Sequence, residues 1–445
     1  MKYTAINIGP IFKTIGLARK PRELWAASFL FSDLMRYIME QVPDNVQVVS
    51  PARCNEQGTG VGLYPDRLFI KGEISDAEVK SLIKTAFNKF KDDVFDGADV
   101  SNYFSIMNVS VDVDEDYEAV GKLNKYLDLL ELNVTASDAN CIETIQGLIR
   151  KTYDSPLFKH GFASRKMDVE TLTDIARVSL DGNVKKSFHN YICVVRADGD
   201  NVGKHLTSAN LEGNLKAISE ALLTFGLRAK DTIIEFGGMP VYAGGDDLMF
   251  VSPVVGRDGR TIFELLARLD DEAFDGVRKY IADASLSFGV FIGYHKFPLY
   301  EALEASATQL FGVAKNVIGK KAIAWTLQKN SGEQFAAAIS RRNPELWDKF
   351  MNVVESTNDG NTVTAVAHKV REFAPLIEMT LSTGSDVRLK AMFDKVLEMK
   401  DTQYFKSVME IMPVLYEKYT DKYADALYSI LRTAKFIKGE DPIDE

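Results

Sequence analysis

The hydrophobic positions change period along the chain, and those changes divide it. Residues 3–8 form an apolar run that reads as a strand. Leu24, Ala27, Phe31, Leu34 and Ile38 then recur at helical spacing and predict an amphipathic helix. Strand character returns at 46–49, and a hairpin-like pair is expected around Tyr64-Pro65-Asp66-Arg67. A helix over about 76–95, a strand over 103–113 and a helix over about 114–130 complete a β-α-β-β-α-β order with one further helix. From about 188 the order repeats. It predicts a strand at 191–197, a helix at about 211–235, a hairpin at 239–252 and a helix at about 261–282. A strand at 286–294, a helix at about 299–317 and a last strand near 322–327 follow. Residues 133–187 read as a small helical insert, with helices at 141–153 and 169–179. Beyond about 335 everything reads as helical. The expected fold is α+β: two ferredoxin-like units, 1–132 and 188–334, with a helical insert at 133–187 and a C-terminal helical bundle at 335–445.

Composition narrows the classes. A chain of 445 residues, 46% hydrophobic and 26% charged, can bury several cores. Its net charge of −10 argues against binding nucleic acid by bulk charge. The best candidate for a membrane span, 24–42, carries Asp33, Arg36 and Glu40 and reads as amphipathic instead. The N-terminus starts directly on a strand, with no secretory signal. Cys54, Cys141 and Cys193 are far apart and show no C-x-x-C spacing, so neither zinc nor disulfides are expected. A reducing, cytoplasmic setting without membrane contact fits these features.

Candidate chemistry lies in two acidic turns. Asp198-Gly199-Asp200 ends the apolar strand 191–197, and Gly244-Gly245-Asp246-Asp247 joins the two strands of the 239–252 hairpin. Carboxylates placed this way can converge on Mg²⁺ or Mn²⁺. A metal pair so held stabilises the attacking and leaving oxygens of a displacement at phosphorus. The expected ligands are Asp198, the Gly199 carbonyl, Asp246 and Asp247. Gly244 and Gly245 suit the tight turn and let a nucleotide approach the backbone. The amides of Asn201, Val202 and Gly203 could cradle a triphosphate, and Lys315 and Lys320 could neutralise it. Asp200 reads equally as a third ligand or a turn former. The first unit lacks this equipment: Asn7 falls near the Asp198 position, and Asp66-Arg67 stands where the acidic pair would be. It reads as a structural half, or as one wall of a composite site.

These residues resemble the large subunit of type III CRISPR effector complexes, the CRISPR polymerase, most closely its Cmr-type branch. The likeness rests on Ile8-Gly9-Pro10, Ala18-Arg19, Leu24-Trp25-Ala26-Ala27-Ser28 and Tyr64-Pro65-Asp66-Arg67-Leu68-Phe69 in the first half. In the second it rests on the run 197–204, Gly244-Gly245-Asp246-Asp247, the run 294–299, Ala314-Lys315 and Lys329-Asn330-Ser331-Gly332. The order of these motifs makes the match specific. The resemblance implies two palm domains of the nucleotidyl cyclase type, the first degenerate. It also implies a ribonucleoprotein of further subunits with guide RNA and target RNA. On that basis ATP is condensed into cyclic oligoadenylate messengers, with Asp198, Asp246 and Asp247 on the metals and Lys315 and Lys320 on the donor triphosphate. Many relatives begin with an HD nuclease domain and carry a cysteine zinc site. Neither motif is visible here, so no nuclease activity and no zinc are expected. Two alternatives stand: transfer of AMP to S-adenosylmethionine, and a non-catalytic scaffold. A diguanylate cyclase is disfavoured by Asp247-Leu248, where that family prefers Glu-Phe, and a template-dependent polymerase by the lack of room for fingers and thumb.

Overall fold

The computed structural model describes residues 1–56, 58–132, 139–151, 155–162, 171–182, 185–207, 215–358, 360–384, 386–396, 402–419 and 422–440. The first unit runs β1 (Lys2–Gly9), α1 (Ile11–Ile15), α2 (Pro21–Glu40), β2 (Gln47–Ser50), β3 (Arg67–Lys71), α3 (Asp76–Phe95), β4 (Ser105–Asp112) and α4 (Asp116–Glu131). Its strands pair antiparallel in the order β2-β3-β1-β4, as the β-α-β-β-α-β reading requires. One expectation is corrected. Tyr64-Pro65-Asp66-Arg67 is not the tip of a tight hairpin; it is the end of a long loop, 51–66, that leads into β3. Helix α3 begins at a capping box, in which Ser75 and Glu78 satisfy each other's backbone N–H.

The insert holds α5 (Ala139–Arg150) and α7 (Leu172–Ala176) within or close to the two expected spans, and a further helix, α6 (Pro156–Phe162), that the periodicity does not predict. Residues 152–153 and 169–170 of the expected helices lie outside the described residues. Trp25 of α2 stacks on Phe29 and meets Phe158 and Phe162, so aromatic packing holds the insert to the first unit.

The second unit runs β5 (Tyr191–Asp200), α8 (Val202–Leu206), α9 (Leu215–Phe236), β6 (Met239–Gly244), β7 (Asp247–Pro253), α10 (Ile262–Arg268), α11 (Asp275–Arg278), β8 (Ser285–Tyr294), α12 (Leu299–Ala307), β9 (Ala322–Gln328) and β10 (Gln334–Ser340). Its sheet order is β10-β9-β8-β5-β7-β6. Its strands β6-β7-β5-β8 repeat the order of the first sheet, and β9 adds parallel to β8. The sheet is buried on both faces, which explains why β5 reads as a continuous apolar run. Ile192 and Val194 face the core that holds α2 and the first unit. Tyr191, Cys193, Val195 and Ala197 face α9, α10 and the C-terminal helices.

Three further expectations change. The helix foreseen at 261–282 is broken by a π-turn at Leu269–Ala273. The helix at 299–317 is one body, but it widens to π geometry over Thr308–Val317. It crosses β8 at Gly289, where a Cβ would lie 2.1 Å from the Ser306 carbonyl oxygen. Residues 334–340 are a strand rather than the start of the helical tail. The tail follows as α13 (Pro344–Ser356), α14 (Gly360–Glu372), α15 (Ala374–Leu381), α16 (Asp386–Val396), α17 (Gln403–Tyr419) and α18 (Tyr423–Lys438). It shares one core with the second sheet: Trp325 packs edge-on to Phe263 and donates its indole N–H to Thr433. No helix among the described residues is long and apolar enough to cross a membrane.

Candidate functional site

Strand β5 alternates, so Arg196, Asp198 and Asp200 share a face, the one turned towards the first unit. Beside them, β6 and β7 close through a two-residue turn. Gly244 pairs with Asp247, and Gly245 takes φ 65° at the first central position, as a tight hairpin requires. The turn and β5 are joined where the Gly199 N–H donates to the Asp246 carbonyl at 3.1 Å. Gly199 makes this approach possible, because a Cβ there would lie 2.5 Å from Asp246 Oδ2. Asp198, Gly199, Asp246 and Asp247 are therefore brought together, as the two turns predict.

Lys315, in the π segment after α12, reaches down to this cluster. Its ammonium donates to Asp198 Oδ2 and, at 3.0 Å, to the Gly199 carbonyl. It is thus placed on the carboxylates themselves rather than only beside them. Lys320 donates to Asn201 Oδ1 at 3.0 Å. Asn201 (φ 68°) caps α8 and also donates to Asp283, while Val202 is buried and Gly203 has open space where a Cβ would stand. Asp200 is neither an exposed ligand nor a simple turn former. It is fully buried and accepts from Ser285, Ser287 and the Lys321 N–H, which fixes the end of β5.

Burial raises Asp246 to about 7, and the neighbouring charge of Asp198 adds to the rise. Burial also pushes Asp198 up, against the pull of Lys315. Asp247 reaches solvent through the cleft. Protein packed around its carboxyl, with Asp246 and Asp198 beside it, still holds it well above the ordinary carboxylate range. Three acids that raise one another in this way constitute a site short of positive charge. Their hard oxygens, with the Gly199 carbonyl, fit Mg²⁺ or Mn²⁺ by donor chemistry. No three acidic, histidine or cysteine side chains among the described residues already converge as a ready metal cluster. A divalent ion at Asp198 Oδ2 would compete with the Lys315 ammonium.

Of the three carboxylates, Asp247 lines a cavity of about 390 Å³ between the two units, and Asp198 and Asp246 do not. The second unit contributes Arg196, Tyr242 and Asp247 to its wall, and the first contributes Asn7, Asp66 and Glu131. The volume suits a nucleoside-sized group. A larger cavity, about 490 Å³, lies behind it around Asp33, Arg36 and His160 and holds none of the acidic-turn residues. Sequence reading missed Arg196 and Tyr242. Both lie on strands, and only the pairing of the two units shows that they face the site. His295 is buried against the Asn190 carbonyl and does not line this cavity.

Residues 191–324 match the family described as Cas10/Cmr2, second palm domain, and residues 3–89 match the N-terminal region of the CRISPR-associated protein Cmr2. The chain belongs to the Cas10/Cmr2 family. Its similarity to the CRISPR system Cmr subunit Cmr2 of Pyrococcus furiosus is 27% identity over 218 residues, covering 42% of this chain and 24% of that protein. The Cas10/Cmr2 chain thus spans about a quarter of that curated relative. Among solved structures, a type III-B Cmr-beta complex bound to cognate target RNA superposes with a TM-score of 0.64 at 10% identity, covering 99% of this chain and 83% of that one. A Csm1-Csm4 cassette in complex with cA4 gives 0.58 at 13% identity, covering 98% and 69%. At these identities the superpositions show the fold alone.

Proposed function

We propose that this Cas10/Cmr2 chain is the nucleotidyl transferase subunit of an RNA-guided type III complex, with other protein subunits, guide RNA and target RNA as partners. On target sensing it would condense ATP into cyclic oligoadenylates. The observation that carries the reading is the joining of the Asp198-Gly199 strand end to the Asp246-Asp247 turn, with Asp247 on the wall of a cavity shared by both units. The two sheets of equal order would be a working palm and a degenerate one. Residues 1–132 and 188–334 are proposed as those domains, with the insert 133–187 and the bundle 335–445 as further docking surfaces.

In the transfer, a 3′-hydroxyl displaces pyrophosphate from the α-phosphate of ATP. Bound Mg²⁺ or Mn²⁺ would supply charge stabilisation to the attacking and leaving oxygens. Asp198, Asp246, Asp247 and the Gly199 carbonyl would hold the ions. The Gly199–Asp246 hydrogen bond keeps the two acidic turns in register. Gly244 and Gly245 keep the turn narrow, and Lys315 and Lys320, with the amides of Asn201, Val202 and Gly203, would orient the triphosphate.

A second reading keeps the metals and changes the acceptor. The first unit faces the cavity with Asp66, which has no ion pair among the described residues, and an acid there suits a cationic acceptor such as S-adenosylmethionine better than a triphosphate. Mass spectrometry of products separates the readings. The assembled complex, with guide and target RNA, receives ATP and Mg²⁺ or Mn²⁺, with and without S-adenosylmethionine. Cyclic oligoadenylates from ATP alone support the first reading, and a product that appears only with S-adenosylmethionine supports the second. An intact complex that makes neither product defeats both and leaves a scaffold.

A further inference from the structure

Arg196 and Arg22 each have a buried Nε without a partner and no hydrogen bond or ion pair among the described residues, and of the two Arg196 lines the inter-unit cavity. By contrast, Arg341 pairs with Asp270 and Asp271, Arg278 with Asp270, and Arg67 with Asp128 and Glu131. Guanidinium stays charged and carries only donors; the Asp247 carboxylate offsets part of the Arg196 charge without a hydrogen bond to it, so its donors remain open to an anion. Its position shows where that anion would lie. Arg196 is two residues before Asp198 on the same strand face, and it lines both the inter-unit cavity and a shallower groove of about 360 Å³. Phe12, Ile15 and Arg196 line both spaces, which therefore adjoin.

The groove alternates rings and cations. The Arg196 guanidinium stands 5.7 Å from the Phe12 ring centroid, and that of Arg19 stands 5.7 Å from the Tyr300 centroid. Both rings are open: Phe12 is 74% exposed and Tyr300 48%. Exposed rings with arginines between them form the pattern on which single-stranded nucleotides stack while their phosphates are neutralised. Glu304 on the groove wall disfavours phosphate on its own side and leaves Arg196 as the anion's place.

Building on the nucleotidyl-transfer reading, we infer that Arg196 holds an internucleotide phosphate of a short adenylate strand, whose outer base stacks on Phe12 and Tyr300. The strand's reacting 3′ end points into the cavity beside Asp247, and its 5′ end leaves along the groove. Arg196 is then a positioning residue for acceptors longer than one nucleotide.

The test is binding of linear 5′-triphosphorylated diadenylate to the full chain in its complex, without divalent ions, beside ATP and a long single-stranded RNA. Arg196→Met and the pair Phe12→Ala with Tyr300→Ala are each expected to weaken diadenylate binding on the order of 10-fold. ATP binding should change far less, melting temperature should hold, and Arg196→Lys should recover part of the loss. Diadenylate binding unchanged in all variants overturns the inference, as does loss confined to the long RNA. Catalysis is read separately. A wild-type complex that makes no product yet binds diadenylate through Arg196 sustains this inference while the catalytic reading fails. A productive complex indifferent to these substitutions does the reverse.

Discussion

Replacing Gly199 by alanine tests the meeting of the two acidic turns directly. A Cβ at 199 would stand 2.5 Å from Asp246 Oδ2, 2.6 Å from its Cβ and 2.9 Å from its Cγ. Ordinary contact begins at 3.4 Å, so the Asp246 Cβ, at 2.6 Å, must retreat by about 0.8 Å. The Asp246 Cβ is fixed to a two-residue turn, so rotating the carboxylate cannot relieve the clash; the backbone has to move. The 3.1 Å bond from the Gly199 N–H to the Asp246 carbonyl lengthens with it. Overpacking of this kind costs about 1–3 kcal/mol, and a weakened hydrogen bond about 1 kcal/mol. Activity should suffer more, because a displacement of about 1 Å at a reacting centre costs on the order of 100-fold. The expected result for Gly199→Ala is a melting transition lowered by a few degrees, with product formation from ATP reduced about 100-fold. Gly276→Ala is the control: a Cβ there meets nothing within 4 Å and lies in helix α11, so it should be neutral or slightly stabilising. Product formation within threefold of wild type in Gly199→Ala, with an unchanged melt, would refute the argument that this glycine sets the spacing.

Gly289→Ala should be worse for stability than any change at the site, since its Cβ would meet backbone at 2.1 and 2.3 Å; a loss above about 3 kcal/mol or insoluble protein is expected in thermal unfolding. Mn²⁺ should raise the melting temperature of the wild-type chain and leave Asp246→Asn unmoved, with an equal shift in both arguing against Asp246 as a ligand. The pH dependence has a definite sign. Asp246 rises from 3.8 to about 7 on folding, so the folded chain binds more protons than the unfolded one across that interval. Metal-free stability should therefore fall as pH rises from about 4 to about 7, and Asp246→Asn should flatten the slope in denaturant titrations at several pH values.

Much of this fold was legible because each half is built from elements whose apolar period is unmistakable. Helix α3 and the strands of the acidic hairpin fall where periodicity places them. β10 was not legible, since Phe335-Ala336-Ala337-Ala338-Ile339 favours a helix locally and becomes a strand only because β9 offers an edge to pair with. The π segment at Thr308–Val317 follows from the close crossing at Gly289, a tertiary fact. Within the site, the two carboxylate turns could be read from spacing. Arg196 could not: an arginine inside an apolar strand is legible as unusual, but its lack of a partner is a property of the assembled halves.

The two halves can be set against each other through one hydrogen bond. The Gly199 N–H donates to the Asp246 carbonyl at 3.1 Å, and the Ile8 N–H donates to the Asp66 carbonyl at 3.0 Å. With the strands in the same order, Ile8 is the counterpart of Gly199 and Asp66 that of Asp246. Asn7 then matches Asp198, and Arg67 matches Asp247. In the first half these positions close on themselves: Asn7 donates to Glu131, while Arg67 donates to Asn124, Asp128 and Glu131. A fixed guanidinium stands where the second half holds a carboxylate, so a divalent ion there would meet like charge. The loop before Asp66 instead binds the other half, with the Ala243 N–H donating to the Gly62 carbonyl at 2.9 Å along β6. That edge contact seals a strand otherwise open to pairing and swings Asp66 to the cavity wall beside Tyr242 and Asp247. The first sheet, with a guanidinium where its twin holds a carboxylate, thereby forms one wall of the shared cavity, and Asp66 stands on that wall with Asp247 across from it.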